Sequence, residues 1–125
     1  IFVHQYRPGI ARTCYELCAG VCETEDASPL VSAQRELLEE TGYGNGNWQE
    51  YMALSPNPST HTNVTYCFLA TDVEPIAPQH LEDTEDLTVH LLTLEEVKQL
   101  LLNNEIMQSL HAAPLWRYMA EKRLI

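Results

Sequence analysis

Three glutamates stand close together in residues 35–42, RELLEETG. If this run is helical, Glu36 lies three residues from Glu39 and four from Glu40, so the three carboxylates face one side of the helix. Like charges at these spacings destabilise a helix by about 0.2–0.5 kcal/mol per pair, and Arg35 offsets only part of that cost. One interpretation is a solvated acidic face. The other is a divalent metal site, since Mg2+ takes carboxylate oxygens and shares its ligands with phosphates.

The flanking residues predict the helix that carries these glutamates. Ser28 is a suitable N-cap, and Pro29 fits the first helical position, where its missing N–H costs nothing. Apolar residues follow at three- and four-residue spacing, and Gly42 supplies a C-terminal stop. We therefore predict a helix of about four turns between Ser28 and Gly42.

Alternation, turn residues and capping signals predict the remaining elements. The predicted strands are 2–6, 12–18, 48–54, 63–71 and 86–92, and residues 21–27 and 72–84 are predicted to be polar loops. Thr93 and Glu96 form a capping box for a second helix that ends near Leu102. A helical stretch over 105–122 is predicted to be interrupted or restarted at Pro114. Strands and helices mix without strict alternation, which predicts an α+β fold or a three-layer α/β/α sandwich.

Length and charge exclude several classes of protein. The chain has 125 residues, the size of one domain, and 7 Lys and Arg against 18 Asp and Glu give a net charge of −11. Such a field repels a nucleic-acid backbone, so no nucleic-acid partner is expected. A small phosphate ester can bind where divalent cations lie between it and the carboxylates. No run approaches the roughly 20 apolar residues of a membrane helix, so no membrane partner is expected.

The cysteines and the start of the chain add two expectations. Four cysteines lie at positions 14, 18, 22 and 67. The even spacing of the first three differs from the paired spacing of zinc sites, so we favour small buried thiols. Nothing requires disulfides, and a reducing cytoplasm is the expected location. The chain opens inside an alternating run, so we expect residues 1–125 to be one domain that lacks an N-terminal segment.

The run from Gly20 to Tyr43 resembles the Nudix box, whose pattern is Gly-x5-Glu-x7-Arg-Glu-U-x-Glu-Glu-x-Gly-U, where U is bulky and apolar. The second half, from Arg35 onward, matches at every fixed position. The first half departs from the pattern. After five intervening residues, Asp26 stands where the pattern has Glu, and eight residues instead of seven separate Asp26 from Arg35. We interpret this as one extra residue in the loop before Ser28.

Other segments resemble the ADP-ribose pyrophosphatases of that family. Residues 5–8, QYRP, and 16–20, ELCAG, are similar to their "QYR" and "ELPAG" segments, with Cys18 in place of Pro. Pro58 resembles a downstream proline associated with ADP-ribose specificity. Residues 83–90 resemble the acidic loop and strand that complete those active sites.

The resemblance implies a Nudix-like α/β/α sandwich with a mixed β-sheet, and it implies roles for particular residues. The implied metal ligands are the Ala19 carbonyl, Glu36, Glu39 and Glu40. The implied catalytic carboxylates are Glu39, which shares a metal or polarises a water, Glu85 as a further ligand or base, and Asp83.

The same resemblance implies a substrate-binding set. Arg7 is expected to pair with a phosphate, which suits a guanidinium fork, while Tyr6 and the Pro58 loop contribute to the adenine and sugar pockets. Arg35 orients Glu39. As alternatives, Arg7 is a surface charge, Glu85 belongs to a solvated loop, and Glu16 is structural. The five histidines follow no ligand spacing and receive no role.

The implied activity is Mg2+-dependent hydrolysis, with Mn2+ as the alternative ion, of a nucleoside diphosphate linked to another moiety. ADP-ribose would give AMP and ribose 5-phosphate. One alternative is a pyrophosphatase for other nucleotide sugars, such as ADP-glucose, or for dinucleotides. Another is a non-catalytic sensor that binds ADP-ribose. Such pyrophosphatases are commonly homodimers, so a homodimer is expected.

Overall fold

The computed structural model describes residues 1–81 and 86–125. These residues form two compact units, one made of 1–17 with 86–125 and the other of 18–81. The strands are β1 (Phe2–Arg7), β2 (Arg12–Glu16), β3 (Tyr43–Gly44), β4 (Asn47–Leu54), β5 (Thr65–Thr71), β6 (Glu74–Pro75) and β7 (Leu87–His90). The helices are α1 (Pro29–Thr41), α2 (Leu94–Leu102) and α3 (Ser109–Glu121).

The first unit contains a three-stranded sheet and two helices. The strand order is β2-β1-β7, and the central Val3 pairs with Glu16 on one side and Val89 on the other. Phe2 packs with apolar residues of α2 and α3 in one core cluster, in which Met119 is fully buried. Burying a side chain of this size contributes roughly 1.5–3 kcal/mol, so this cluster joins the sheet to both helices.

The second unit contains α1 and two antiparallel strand pairs. Strands β4 and β5 form a long ribbon with an irregularity between Glu50 and Met52, and β3 pairs with β6 over two residues. Helix α1 contacts β3 and β5. Its N-terminus and C-terminus follow the predicted signals, since Ser28 accepts a bond from the amide of Val31, and Gly42 caps the end with φ +79°.

The sequence predicted most elements correctly and missed others. The α+β class is confirmed, and both bonds of the Thr93–Glu96 capping box are present. All four strand pairings in the described residues are antiparallel, so the parallel pairs of a mixed sheet do not occur among them. Short turns connect antiparallel neighbours such as β1 and β2, whereas parallel pairs need longer crossovers. The predicted loop 72–84 contains β6, whose two residues are too few to produce a pattern.

The prediction of a break at Pro114 was wrong. Helix α3 begins at Ser109 and continues through Pro114 to Glu121, although proline removes one backbone hydrogen bond. His111, Pro114 and Met119 are all buried, so tertiary packing holds the helix together across the proline. The prediction that it starts at 105 was also wrong, because residues 105–108 are not helical and α3 begins at Ser109 after the N-cap Gln108.

The cysteines are all free thiols. Cys14 is buried as predicted, Cys18 and Cys67 are partly buried, and Cys22 is exposed, contrary to the prediction of buried thiols. Cys22 lies in the irregular segment before α1, whereas Cys14 lies within β2. No helix in the described ranges is long and apolar enough to cross a membrane.

Candidate functional site

Asp26 anchors Arg35 at the start of the acidic helix face. Its Oδ1 accepts a hydrogen bond from Arg35 Nε at 3.2 Å, and its Oδ2 accepts from Arg35 Nη2 at 3.0 Å, Ser32 Oγ at 2.6 Å and the amide of Glu23 at 2.9 Å. The bonds from Arg35, then from Ser32 and the Glu23 backbone, hold the pKa of Asp26 far below its ordinary value. The loop with the extra residue therefore still brings a carboxylate to Arg35.

Arg35 in turn contacts two of the helix glutamates. Its Nη1 lies 3.0 Å from Glu36 Oε1 and 3.4 Å from Glu39 Oε2. The Arg35 side chain is 23% exposed, against 18% for Glu36 and 38% for Glu39. The hydrogen bonds to Asp26 raise the pKa of Arg35, more than burial lowers it, so the guanidinium stays charged. Neither glutamate extends freely into solvent, and Glu39 is the more accessible of the two.

The third glutamate is enclosed beside a thiol. Glu40 is 7% exposed. The pKa of Cys18 is raised well above its ordinary value, chiefly by burial and then by the charge of Glu40 and a hydrogen bond to it. Cys18 is thus a protonated donor to Glu40 at the position where the resembling family has proline. No pattern in the sequence indicates this contact, because Cys18 and Glu40 are 22 positions apart along the chain.

Gly20 brings the backbone against Glu36. A Cβ at this position would overlap the Glu36 carboxyl group, so any other residue would force the Glu36 side chain to move away from this peptide. The peptide that joins Ala19 to Gly20, which carries the Ala19 carbonyl, therefore lies beside a helix carboxylate. The roles of the Ala19 carbonyl and Glu36 as metal ligands stay predictions.

Helix α1 carries its charges where they cost stability. The glutamates lie toward its C-terminus, the negative end of the helix dipole, and its last turn holds no basic residue. The end of the helix is nevertheless fixed. The amide of His80 donates to the Glu39 carbonyl at 2.7 Å, and Gln79 Nε2 donates to the Glu40 carbonyl at 2.8 Å. These bonds hold the glutamate backbone rigidly in spite of the repulsion.

Arg7 makes a different contact from the one expected. Its Nε and Nη2 donate to the two carboxylate oxygens of Glu16 at 2.8 and 2.6 Å, across the pairing of β1 with β2. Glu16 is buried, whereas the Arg7 side chain is 50% exposed. Burial raises the pKa of Glu16, but the bonds and charge of Arg7, with His111 and Gln5, outweigh it, so the net pKa is lowered. A phosphate-binding role for Arg7 stays a prediction.

The other predicted site residues are exposed or lie outside the described residues. Tyr6 is 58% exposed on β1, and Pro58 is exposed in the turn that Asn57 closes. Asp83 and Glu85 lie outside the described residues. Within the ranges 1–81 and 86–125, no three His, Cys, Asp or Glu side chains converge closely enough to hold a metal ion by themselves.

Two buried polar residues, one in each unit, had no signal in the sequence. Ser32 is buried, and its hydroxyl donates to Asp26. A serine in the first turns of a helix also fits a plain surface position, so only the structure reveals its partner. His111, which was given no role, is buried and bonded to the amide of Leu17.

Replacing Glu16 tests the pairing in the first unit. Because its folded-state pKa is lowered, Glu16 contributes stability that is present above about pH 4.5, its ordinary pKa, and is lost as the pH falls through the folded value. We expect Glu16→Gln to lower the free energy of unfolding by about 1–3 kcal/mol at pH 7. Urea unfolding measures this effect. Between pH 7 and pH 3, the free energy of unfolding should fall less in Glu16→Gln than in the wild type.

The control for this experiment is Glu121→Gln. Glu121 pairs with Arg117 on the exposed side of α3, with both side chains 46% exposed. Its loss should change stability by less than about 0.5 kcal/mol. Equal effects of the two substitutions would contradict a special role for the buried carboxylate.

The amino-acid sequence is similar to a known domain family and to curated proteins. The sequence model of the NUDIX domain matches residues 1–113. The ADP-ribose pyrophosphatase of Mycobacterium tuberculosis is 30% identical over 112 residues, covering 89% of this chain and 54% of that protein. The ADP-ribose pyrophosphatase of Bacillus subtilis is 31% identical over 107 residues, covering 85% and 57%. The chain thus spans about half the length of these curated relatives.

A solved structure resembles the fold. The crystal structure of an ADP compounds hydrolase matches with a TM-score of 0.76 at 20% identity, covering 97% of this chain and 66% of that one. At this identity the likeness concerns the fold alone. With the domain match, it confirms the fold expected from the resemblance.

Proposed function

Because the chain belongs to the Nudix family, we propose that it is a pyrophosphohydrolase that cleaves a nucleoside diphosphate linked to another moiety, with ADP-ribose as its substrate. The observation that carries the proposal is the acidic end of α1, where Glu36 packs on Gly20 and Asp26 holds Arg35 beside Glu36 and Glu39. The two ADP-ribose pyrophosphatases among the relatives support this choice of substrate.

The residues at this end of α1 fit a hard divalent cation, and we propose Mg2+, with Mn2+ as the alternative. Carboxylates and a backbone carbonyl are its preferred ligands, and the space beside Gly20 admits the Glu36 carboxyl group. Mg2+ is usually held by only one or two carboxylates together with waters and substrate phosphates, so a closed protein cage is not required. The proposed ligands are the Ala19 carbonyl, Glu36, Glu39 and Glu40. When bound, the ion supplies positive charge to the phosphate oxygens.

The proposed chemistry assigns separate tasks to these side chains. A water oxygen bonds to one phosphorus of ADP-ribose as the bridging P–O bond breaks, giving AMP and ribose 5-phosphate. Glu39, the more exposed of the two glutamates at Arg35, accepts the proton from that water. Arg35 positions Glu39 and keeps its own place through Asp26. Glu85 and Asp83 are the further carboxylates that we propose for the same task or for the metal.

Substrate recognition is proposed for residues on β1 and on the turn after β4. Arg7 is half exposed while bonded to Glu16, so its charge can still act on a phosphate. Tyr6 and Pro58 are exposed and offer surfaces for an adenine or sugar ring. We further propose a homodimer that acts in the cytoplasm, where the four free thiols stay reduced.

Product analysis tests the proposal. We expect the chain to release AMP from ADP-ribose with Mg2+ or Mn2+, and to do so faster than from ADP-glucose or a dinucleotide. Excess chelator should abolish the reaction. Turnover that persists in chelator would contradict metal dependence, a faster rate on another compound would change the substrate, and tight ADP-ribose binding without AMP release would establish a sensor.

A further inference from the structure

His111 accepts a hydrogen bond from a backbone amide that is distant in the sequence but belongs to the same unit. Its Nδ1 lies 3.2 Å from the amide nitrogen of Leu17, a residue 94 positions away in the sequence. Since the amide is a donor, Nδ1 must offer a lone pair, and the neutral ring carries its proton on Nε2. Leu17 follows directly after β2, and its side chain packs against the core cluster of this unit.

The surroundings of His111 keep the ring neutral. The ring is buried at 9% exposure, and burial lowers its pKa below the ordinary value. The charged groups that act on it are Glu16 on β2, which raises the pKa, and Arg7 on β1, which lowers it. Burial together with the charge of Arg7, which is bonded to Glu16, outweighs the charge of Glu16, so the net pKa of His111 is lowered.

We propose that His111 is a positioning residue, whose neutral ring holds the Leu17 amide and so fixes the segment Leu17–Gly20. This inference rests on the proposed function, because that segment carries the Ala19 carbonyl proposed as a metal ligand. A protonated ring has an N–H at both nitrogens and no acceptor for Leu17. Protonation therefore breaks the bond and releases the Leu17 amide just after β2, which makes His111 an acid-sensitive contact of the segment.

Two substitutions of His111 separate the effect of losing the hydrogen-bond acceptor from the effect of protonating the ring. Phenylalanine at position 111 keeps a ring but removes the acceptor. Asparagine places its Oδ1 near the position of Nδ1 and accepts a bond at every pH. We expect His111→Phe to lower kcat/KM by about 10–100-fold, the effect of a small misplacement, and His111→Asn to rescue most of it. The His111→Asn rate should also fall less than that of the wild type between pH 7.5 and pH 5.5.

NMR on the complete chain provides a test that does not depend on turnover. The ring 15N signals of His111 should show the Nε2–H form at neutral pH. The amide signals of Leu17, Ala19 and Gly20 should shift, and exchange faster than the intrinsic pH effect predicts, as His111 titrates. In His111→Asn this response should be absent. The control, His61→Asn, replaces an exposed histidine bonded to Thr60 and should leave the response unchanged.

The outcomes distinguish the inference from the proposed function. Amide signals of residues 17–20 that ignore the titration of His111, or an Nδ1–H ring at neutral pH, would overturn the positioning role. An unchanged acid loss of activity in His111→Asn would overturn its link to catalysis. No AMP release by the wild type at any pH would count against the proposed function alone, because the NMR result still decides how His111 acts on the segment.

Discussion

Replacing Glu36 and Glu40 together by glutamine is expected to abolish metal-dependent hydrolysis and to leave the fold intact. Glutamine keeps the size of each side chain but removes the charge that a divalent ion requires. Changes in the outer shell of a metal site alone cost about 10–100-fold, so we expect the loss of two ligands to exceed about 100-fold in kcat. AMP release in the presence of Mg2+ measures this effect.

The same double variant should be as stable as the wild type or slightly more stable. Glu36 and Glu40 repel each other at i,i+4 spacing near the negative end of the α1 dipole, and this repulsion costs up to about 1 kcal/mol. Thermal unfolding measures the change. The control removes two exposed carboxylates from other helices, Glu95→Gln with Glu121→Gln, and should retain turnover. Near-normal hydrolysis by the Glu36 and Glu40 variant would contradict the assigned roles.

Helix α1 could be predicted from the sequence because its signals are local. The cap at Ser28, proline at the next position and glycine after Thr41 all lie within the helix or beside it, and the structure contains each of them. The face that the three glutamates share follows from their spacing alone. Which of them is buried does not follow, since the enclosure of Glu40 depends on a thiol 22 positions earlier.

Features that depend on distant partners could not be predicted. The pairing of β3 with β6 involves two residues on each side, and α3 continues through Pro114 because its neighbours are buried. Helix propensity alone favours a break at proline, and tertiary packing overrides it here. In the same way, the sequence predicted that Arg7 meets a phosphate or is a surface charge. The strand register places Arg7 opposite Arg12 and Glu16 opposite Val3, and the Arg7 side chain reaches along the sheet to bond Glu16.

Asp26 shows how a departure from a pattern can preserve its chemistry. Along the chain, Asp26 is one residue farther from Arg35 than the family pattern requires. Its side chain is also one methylene shorter than that of glutamate. The segment between Glu23 and Ser32 takes up the difference, because the Glu23 amide and the Ser32 hydroxyl both bind Asp26. Spacing along the chain could not reveal this, since a loop sets distances through its backbone path.

Asp26→Asn is therefore expected to lower kcat by about 10–100-fold, the range measured for groups that orient metal ligands. The amide keeps the shape of the side chain but loses the charge that strengthens both bonds from Arg35. Released from Asp26, Arg35 would pair more strongly with Glu36 and Glu39 and compete with a metal for them. Steady-state rates at several Mg2+ concentrations test this, since competition predicts partial recovery at high Mg2+.

Two further substitutions and the pH dependence separate this role from a general charge effect. Glu23, whose carboxylate is 55% exposed and 3.7 Å from Arg35, provides the control Glu23→Gln, which should retain the wild-type rate. Asp26→Glu keeps the charge but crowds Ser32, so its rate should fall between those of the wild type and Asp26→Asn.

The pH dependence gives a further test. Because the folded-state pKa of Asp26 is lowered from 3.8, the contribution of its charge persists above about pH 4 and disappears only in stronger acid. An activity loss between pH 5 and pH 7 must therefore arise from another group, and an Asp26→Asn rate equal to the wild type would exclude Asp26 as the anchor of Arg35.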